Sequence, residues 1–442
     1  MNIFSSLKAI HLDGHKDKTA HNDVLTLSDR YKQHLFIPIT NPKGVEISLE
    51  KKVGDSVLMG TRLGVRQDMY VPIFSPVSGT IVDKVDLYHP QLGRMTPHYV
   101  IENDGKYVQD HSLKTYTLDS PREQLIEGMK QAGIIGLGGA GFPTYIKYEG
   151  TLGKQVDTVL INGVECEPYL STDYKAAQLD AEDLLLGTEL CRRAAGAKDA
   201  VIAFKNTKMA IKEALAPLLV KYPHIRLMTT PDVYPMGWEK TLIRQLFKKD
   251  YEKLPIEVGI VVNNLTTAIH IAKALLQGLP IVERIVTVSG EGLVQSGNIR
   301  TPVGVLAKDL VQFLGGYAND TATAFIGGPM SSKAVTDDMF AFQVHHGAFT
   351  VLHPVASQEE ACLRCGACTA SCPAFIQPIE IKNALDRNQT ERLLKLDPMK
   401  CVECGLCTYV CPSKIEVTEA VRQAKLKVRL ELTKQGLLKA RV

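Results

Sequence analysis

Apolar and polar positions alternate in two different ways along this chain, and the change of pattern separates predicted strands from predicted helices. Between residues 156 and 276, short apolar runs typical of buried strands are followed by longer stretches with the helical period. This alternation predicts a three-layer α/β domain with a parallel sheet. The predicted strands are residues 156–161, 200–204, 225–229 and 257–262, and the predicted helices are residues 172–195, 207–219, 238–247 and 266–276.

Residues 36–103 show a different pattern, with short strand-like runs broken by Gly and Pro, which predicts a small all-β barrel or sandwich. The segments Lys52-Val-Gly-Asp-Ser-Val and Ser75-Pro-Val-Ser-Gly-Thr-Ile resemble the barrel-sandwich hybrid of lipoyl and biotinyl domains. That family carries its prosthetic group on a lysine at a hairpin tip, for which we find no match. We therefore expect a docking module.

Residues 1–32 are polar and irregular. His11 and His15 stand four residues apart, but Gly14 weakens any helix between them and no third ligand is evident. The pattern favours a surface arm or a packing segment over a metal site.

Three further patterns complete the predicted organisation. Ser120 and Glu123 have the spacing of a capping box at the start of a helix. Residues 283–330 follow a strand-strand-helix-strand order that resembles a small β-grasp module. Residues 380–396 predict a polar helix between two cysteine-rich runs.

The composition indicates a soluble protein of about three domains, with 442 residues, 45% hydrophobic and 22% charged. The sequence shows no long uncharged apolar span and no signal-peptide pattern at its start, so we expect a cytoplasmic protein. The net charge of +3 is too small to indicate nucleic-acid binding. Only residues 421–442 are clearly basic, which fits a membrane surface, an acidic ferredoxin or a solvated helix face.

Eight of the ten cysteines fall into two runs of the form C-x2-C-x2-C-x3-C-P. In this bacterial ferredoxin pattern, three close cysteines bind one [4Fe–4S] cluster and the fourth binds the other cluster. Zinc sites or a disulfide framework are the alternatives, because C-x2-C also suits zinc. The pattern assigns Cys362, Cys365, Cys368 and Cys411 to one cluster, and Cys401, Cys404, Cys407 and Cys372 to the second.

Two further stretches could bind a nucleotide. Residues 136–141 contain G-x-G-x-x-G, which alone is weak because the usual fingerprint needs a preceding strand. Parallel sheets bind ligands beyond the carboxyl ends of their strands. Residues 162–169 follow one predicted strand, and Asn263 and Asn264 follow another, so both stretches lie at such carboxyl ends.

The glycine loop at 136–147 and the acidic loop at 162–168 resemble those of the flavin-carrying, NADH-binding subunit of complex I. The order of domains, with residues 234–240 and 327–330, resembles the C subunits of the Rnf ferredoxin:NAD oxidoreductase complex over nearly the full chain. The resemblance implies non-covalent FMN, NADH as substrate, and a role in electron transport. The residues that it implies as FMN or NADH contacts are Gly136, Gly138, Gly139, Gly141, Phe142, Lys147, Asn162, Glu165, Glu167, Asn263 and Asn264.

Within that set, the glycines and Lys147 would line the flavin phosphate and ring, and Phe142 would stack on a ring. The chain also departs from the family. Residues 8–12 replace a Gly-Gly-Ile-His-Pro opening, Val164 replaces an aspartate, and residues 264–267 read Asn-Leu-Thr-Thr instead of Asn-Val-Gly-Thr. These departures leave the flavin site plausible and bear mainly on partner docking.

The expected function is electron transfer from NADH to a partner, because FMN exchanges hydride with nicotinamide and single electrons with clusters. The partners would be other electron-transfer subunits or ferredoxin, with peripheral docking on integral-membrane Rnf-type subunits at the inner face of the membrane. A stand-alone soluble reductase that feeds proline reductase or a corrinoid protein, and a relay scaffold without NADH binding, are the alternatives.

The expected fold is multidomain α/β. Its parts are an arm (1–32), a barrel-sandwich hybrid (33–115), a Rossmann-like FMN and NADH domain (116–280), a β-grasp (SLBB) module (281–345) and an α-helical, bacterial-ferredoxin-like di-cluster domain (346–442).

Overall fold

The N-terminal arm packs into the molecule, in a computed structural model that describes residues 9–139, 141–319, 321–355 and 358–437. Its helix α1 is Asp17–Ala20 and its strand β1 is Leu25–Thr26. Strand β1 pairs in parallel with residues 299–300, and the amide of Tyr169 donates to the carbonyl of Gly14 (2.7 Å). The described arm is therefore a packing segment, while residues 1–8 lie outside the described part of the chain.

A small β-structure of two antiparallel sheets follows the arm. Its strands are β2 (His34–Pro38), β3 (Ser48–Leu49), β4 (Ser56–Val57), β5 (Arg62–Arg66), β6 (Val71–Phe74), β7 (Gly79–His89) and β8 (Arg94–Asn103). The strand orders are β2-β8-β7-β4 and β3-β5-β6. Leu35 and Ile37 alternate with more exposed residues along β2 and are fully buried, as expected for strands with one face in a core.

The next domain has the predicted parallel sheet. Its elements are α2 (Arg122–Gln131), α3 (Thr144–Glu149), β9 (Thr158–Asn162), α4 (Thr172–Leu179), α5 (Ala181–Ala195), β10 (Asp199–Lys205), α6 (Ala210–Leu219), β11 (Ile225–Thr230), α7 (Glu239–Phe247), β12 (Ile260–Asn264) and α8 (Leu265–Gln277). All neighbours in the order β11-β10-β9-β12 pair in parallel.

Both faces of this sheet are covered, which explains why its strands are continuous apolar runs. Val159 and Ile202 pack with the residues of α5 and α8 on one side. Leu160 and Val201 pack with α7 on the other side.

Three local predictions were wrong. Ser120 does not cap α2, because its hydroxyl accepts from the amide of Thr117 (3.0 Å) instead. The predicted helix 172–195 is divided at Asp180, whose φ of −112° and ψ of 40° are not helical. The predicted helix 380–396 is divided around Asn388, which has a left-handed φ of 56°.

A six-stranded sheet joins the arm to the following module. Its further elements are β13 (Glu283–Ser289), β14 (Gly297–Pro302), α9 (Ala307–Phe313), β15 (Thr323–Ile326), β16 (Ala334–Val335) and β17 (Ala348–Leu352), and the order is β1-β14-β13-β17-β15-β16. Strand β17 lies inside this sheet, beyond the module boundary predicted at residue 345. One apolar core joins the module to the barrel, because Val286 and Phe349 belong to the same buried cluster as Leu35.

The C-terminal domain is helical. Its helices are α10 (Ala367–Ala370), α11 (Pro378–Asp386), α12 (Thr390–Leu396), α13 (Leu406–Tyr409) and α14 (Val417–Lys434). Ile381, Leu393 and Val421 are fully buried in its core. Across the described ranges, no helix is both long and apolar enough to cross a membrane.

Candidate functional site

The glycine loop forms a tight turn between α2 and α3. The amide of Gly136 donates to the carbonyl of Phe142 (2.8 Å), which closes the base of the loop. At the tip, Gly139 has φ of +151° and Gly141 has φ of +61°. The value at Gly141 lies in the left-handed region that favours glycine. A Cβ built on Gly139 would meet no atom within 4 Å, so the tip faces open space.

Asn264, at the carboxyl end of β12, lies directly beside this loop. A Cβ on Gly138 would lie 3.1 Å from the Asn264 side chain. The Asn264 carboxamide caps α8 by accepting from the amide of Thr267 (3.1 Å) and donates to Asp173 (2.7 Å). The Thr267 hydroxyl in turn accepts from the amide of Leu137 (2.9 Å), so the start of α8 fixes the position of the glycine loop.

The two other predicted asparagines differ in orientation. Asn162, at the end of β9, donates to the carbonyl of Gly237 (2.8 Å) and stays partly exposed. Asn263 is only 2% exposed, and its amide donates to Tyr148 and to the sulfur of Cys191 (3.4 Å). Because neighbouring residues of a strand point to opposite faces, Asn264 reaches the glycine loop while Asn263 enters the core.

Glu165 is paired with Lys16, a residue of the arm that sequence reasoning did not identify. The Lys16 ammonium donates to the Glu165 carbonyl (2.8 Å) and lies 3.8 Å from the Glu165 carboxylate. Burial lowers the pKa of Lys16 to about 8, although Glu165 opposes the shift. The Glu165 carboxylate also accepts from the amide of Asp173 (3.1 Å). Only the three-dimensional contact reveals Lys16, because nothing in its sequence neighbourhood indicates a site.

Asp173 is a second residue that the sequence did not indicate. Its carboxylate accepts hydrogen bonds from Asn264 and from the Thr266 hydroxyl. Burial raises the pKa of Asp173, and the charge of Glu165 adds to the shift. The threonine that replaces a family glycine at 266 thus holds this carboxylate in place.

Lys147 and Phe142 differ in burial and in their contacts. The Lys147 ammonium donates to the carbonyl of Val262 (2.9 Å), and burial lowers the pKa of Lys147 while Glu239 partly opposes this. Phe142 keeps 40% of its surface exposed. An aromatic ring with that exposure can stack on a planar ligand.

Glu167 contacts the C-terminal half of the chain. Its carboxylate accepts from the amide of Met330 (3.2 Å) and from the hydroxyl of Ser331. The Tyr234 hydroxyl lies 3.4 Å from Glu167 and donates to the carbonyl of Cys404 (2.6 Å). Burial raises the pKa of Glu167. The acidic loop therefore reaches the second cysteine run through Glu167 and Tyr234.

One pocket unites cysteines from both runs. Its cavity volume is only about 20 Å³. All ten cysteines are free of disulfides. Its wall includes the four cysteines that the sequence pattern assigns to one [4Fe–4S] cluster, although across the described residues no group of three or more His, Cys, Asp or Glu side chains is arranged to hold a metal ion. The cysteines in the pocket wall, the proximal set, are Cys372, Cys401, Cys404 and Cys407.

The two cysteine runs repeat the same backbone conformation. Arg364 and Glu403 occupy equivalent positions and have φ of 52° and 59°. Their amides donate to Cys362 (3.4 Å) and Cys401 (3.3 Å). Exposure separates the runs, since Cys362 and Cys365 are exposed while Cys404 is buried. The remaining cysteines, the distal set, are Cys362, Cys365, Cys368 and Cys411.

The second run packs against the domain with the parallel sheet. Tyr234, Cys404 and Leu406 form one buried apolar cluster, against which Cys166 and Trp238 pack. The acidic loop and the proximal set therefore share an apolar interface.

Part of the basic C-terminal helix contacts the second cysteine run. Arg422 and Lys425 pair with Glu403 (3.3 and 2.8 Å), and Lys425 also donates to the carbonyl of Cys401 (2.8 Å). These two cations stabilise the cysteine loop and do not form a free basic surface. Lys439 and Arg441 of the predicted basic stretch lie outside the described residues.

Family models match three parts of the chain. They are described as the Nuo51 FMN-binding domain (residues 129–273), the RnfC barrel sandwich hybrid domain (residues 4–106) and the 4Fe-4S dicluster domain (residues 361–415). The predicted barrel-sandwich, FMN-binding and dicluster domains are thereby confirmed.

Similar proteins cover most of the chain. The C subunit of the proton-translocating ferredoxin:NAD(+) oxidoreductase complex of Clostridium ljungdahlii is 30% identical over 382 residues, which are 84% of this chain and 82% of the relative. The C subunit of the Na(+)-translocating ferredoxin:NAD(+) oxidoreductase complex of Acetobacterium woodii is 31% identical, with 87% and 88% covered. The C subunit of the ion-translocating oxidoreductase complex of Serratia proteamaculans is 33% identical over 78% of this chain and 50% of the relative.

Among solved structures, an NAD+-reducing [NiFe]-hydrogenase in the air-oxidized state has a similar fold. Its TM-score is 0.50 and its sequence identity is 18%. The match covers 74% of this chain and 64% of the hydrogenase chain, which is less than two thirds of that chain's length.

Proposed function

We propose, from the premise that this chain belongs to the family of Rnf-complex C subunits, that it is an oxidoreductase passing electrons between NADH and a redox partner through FMN and two [4Fe–4S] clusters. The relatives that support this premise are covered over 82% and 88% of their length. The matched FMN-binding and dicluster models account for the cofactors.

FMN, when bound, accepts two electrons as hydride and releases them singly, which connects nicotinamide to clusters. We propose that the glycine loop approaches the flavin with backbone amides, since a Cβ built on Gly139 would meet no atom within 4 Å and Gly139 itself has no side chain. Asn264 lies beside that loop and donates to Asp173. Glu165 accepts from the amide of the same Asp173. Lys147 would add a buried positive charge that stabilises reduced, anionic flavin.

Asn263 and Glu167 have different roles in this proposal. Asn263 stabilises the core under the site through Tyr148. Glu167 joins the flavin side to the clusters, because its contacts are Met330, Ser331 and Tyr234.

The hydrogen bond from Tyr234 to Cys404 is the observation that carries the order of the two clusters. It joins the domain that would hold FMN to a ligand of the proximal set, so electrons from flavin reach the proximal cluster first. The exposed Cys362 and Cys365 make the distal cluster the exit to a partner. That partner is another subunit of the complex or ferredoxin.

We further propose that the module around β13–β17 is a β-grasp SLBB module, and that the chain docks peripherally at the inner face of the membrane on integral Rnf-type subunits. Its strand-strand-helix-strand order supports the first point. The relatives, which are subunits of ion-translocating complexes, support the second point.

Anaerobic reduction of the purified, cofactor-loaded protein tests the function. NADH is expected to bleach the flavin absorbance and then the cluster absorbance under argon. If dithionite reduces both groups while NADH reduces neither, the dehydrogenase function is refuted.

A further inference from the structure

A group of basic and imidazole side chains lies where the barrel, the β-grasp module and the glycine loop meet. Arg284 is the second residue of strand β13, and His345 and His346 precede β17. Gln91, in the turn between β7 and β8, lies 3.2 Å from the His345 ring and 2.8 Å from the His346 ring. His89 ends β7 and is 5% exposed. We call these five residues the Arg284 cluster.

Arg284 is buried without a carboxylate partner. It is 3% exposed, its Nη1 donates to the carbonyl of Val344 (2.7 Å), and its Nε has no hydrogen-bond partner. Within the described ranges, no carboxylate oxygen lies within 4.0 Å of its guanidinium. The Nδ1 of His89 is also buried and without a partner. Buried guanidinium groups normally pair with an anion, so this cluster is incomplete as it stands.

The histidines do not supply a second positive charge. Burial lowers the pKa of His345 to about 4, and repulsion from Arg284 adds to the effect. Burial also lowers the pKa of His346 well below its ordinary value. Near neutral pH the cluster is therefore one fixed cation surrounded by neutral hydrogen-bonding rings.

The cluster borders the open tip of the glycine loop. A Cβ on Gly141 would lie 3.6 Å from the His345 ring. On the other side of the loop, Asn264 touches Gly138 and donates to Asp173. The charges of Asp173 and Arg284 act on each other without an ion pair. His345, a member of the Arg284 cluster, therefore lies against the glycine loop at Gly141, and Asn264 lies against the same loop at Gly138.

We propose that Arg284, with His345 beside it, binds a phosphoryl group of the nucleotide held at the glycine loop. The inference rests on the proposed function and assigns it a binding residue from the β-grasp module. A guanidinium group forms paired, charge-assisted hydrogen bonds with phosphate oxygens, and glycine amides approach the same oxygens closely. The phosphoryl group belongs either to the flavin mononucleotide or to the pyrophosphate of the dinucleotide substrate.

A comparison of FMN with riboflavin tests the proposal, because the two flavins differ only in the phosphate. The purified full-length protein is freed of flavin and titrated with each, and binding is followed by quenching of flavin fluorescence. Arg284→Met is compared with Arg300→Met, a change on the neighbouring strand that removes an arginine already paired with Glu283 (3.0 Å). His345→Ala, at a partly exposed position, gives the same comparison if Arg284→Met does not fold.

If Arg284 binds the flavin phosphate, Arg284→Met weakens FMN roughly tenfold or more, as expected for one charged hydrogen bond, and leaves riboflavin unchanged. If it binds the dinucleotide, both flavins bind normally, and the dissociation constant of NADH, measured on the flavin-loaded protein, rises by a similar factor. The proposal is overturned if FMN and riboflavin weaken equally, or if neither flavin binding nor NADH binding changes relative to Arg300→Met. Failure of the wild-type protein to bind either flavin would instead refute the proposed function.

Discussion

Replacing Gly405 with alanine is expected to disrupt the contact between the clusters and the flavin domain, and the internal repeat provides a matched control. Gly405 and Gly366 occupy equivalent positions and have φ of 80° and 75°. In this left-handed region any side chain destabilises the fold by about 1–2 kcal/mol. Their surroundings differ, because a Cβ on Gly366 would meet no atom within 4 Å, whereas one on Gly405 would overlap the carbonyl oxygen of Met330 well inside 3.0 Å.

Overpacking against backbone adds roughly 1–3 kcal/mol. Gly366→Ala should therefore lower the free energy of unfolding by about 1–2 kcal/mol, and Gly405→Ala by about 2–5 kcal/mol in all. Met330 also donates its amide to Glu167 (3.2 Å). Displacement of this segment should therefore disturb the contact between the acidic loop and the second cysteine run, and slow electron transfer from flavin to cluster.

Two assays check this expectation. Thermal unfolding of the cofactor-loaded variants under argon gives the stability difference, and stopped-flow absorbance after addition of NADH separates flavin reduction from cluster reduction. Gly405→Ala should slow only the cluster phase, while Gly366→Ala should leave both phases near the wild-type rates. Equal losses of stability and equal rates in the two variants would refute the reasoning.

Three further predictions follow from individual side chains. Asn264→Ala should weaken FMN binding, whereas Asn263→Ala should lower the melting temperature and leave FMN affinity nearly unchanged. Fluorescence titration measures the affinity of each variant and calorimetry its melting temperature. Equal effects of the two changes on FMN affinity would contradict the assigned orientations. Lys16 has a folded-state pKa lowered to about 8 from 10.5, so the unfolded chain binds more protons between these values and the stability contributed at Lys16 rises with pH across that window. The Tm of the wild type, relative to that of Lys16→Met, should therefore rise from pH 8 to pH 10. A difference in Tm that stays constant over this range would contradict the expectation. Cys372→Ser should remove the proximal cluster although Cys372 belongs to the first run; loss of the distal EPR signal instead would show that the crossover assignment is wrong.

The dicluster domain could be predicted from the sequence because the chemistry of its cysteine pattern is local. A fixed spacing places three thiols around one cluster, and the fourth cysteine of each run belongs to the other cluster. Cys372 lines one pocket together with Cys401, Cys404 and Cys407, and the assignment of these four to one cluster stays a prediction. The parallel sheet could also be predicted from the sequence, because strands covered on both faces are continuous apolar runs.

The remaining site residues depend on contacts between distant parts of the chain. Lys16, in the arm, contacts Glu165, and Arg284, on β13, donates to the carbonyl of Val344. No local sequence pattern indicates either residue. Asn263 and Asn264 are adjacent in sequence, so only the orientation of β12 decides which one faces the glycine loop. Glu167 was predicted as a nucleotide contact from its motif, but its hydrogen bonds are to residues 330–331 and Tyr234.

We expect electrons to reach the proximal cluster before the distal one, and removing one cluster at a time tests this order. Cys404→Ser should eliminate the proximal cluster, and Cys365→Ser should eliminate the distal one. EPR spectra of samples frozen after mixing with NADH then report which cluster is reduced. We expect NADH to reduce the proximal cluster in Cys365→Ser, and to leave the distal cluster oxidised in Cys404→Ser although dithionite reduces it. Reduction of the distal cluster by NADH at the wild-type rate in Cys404→Ser would contradict the account.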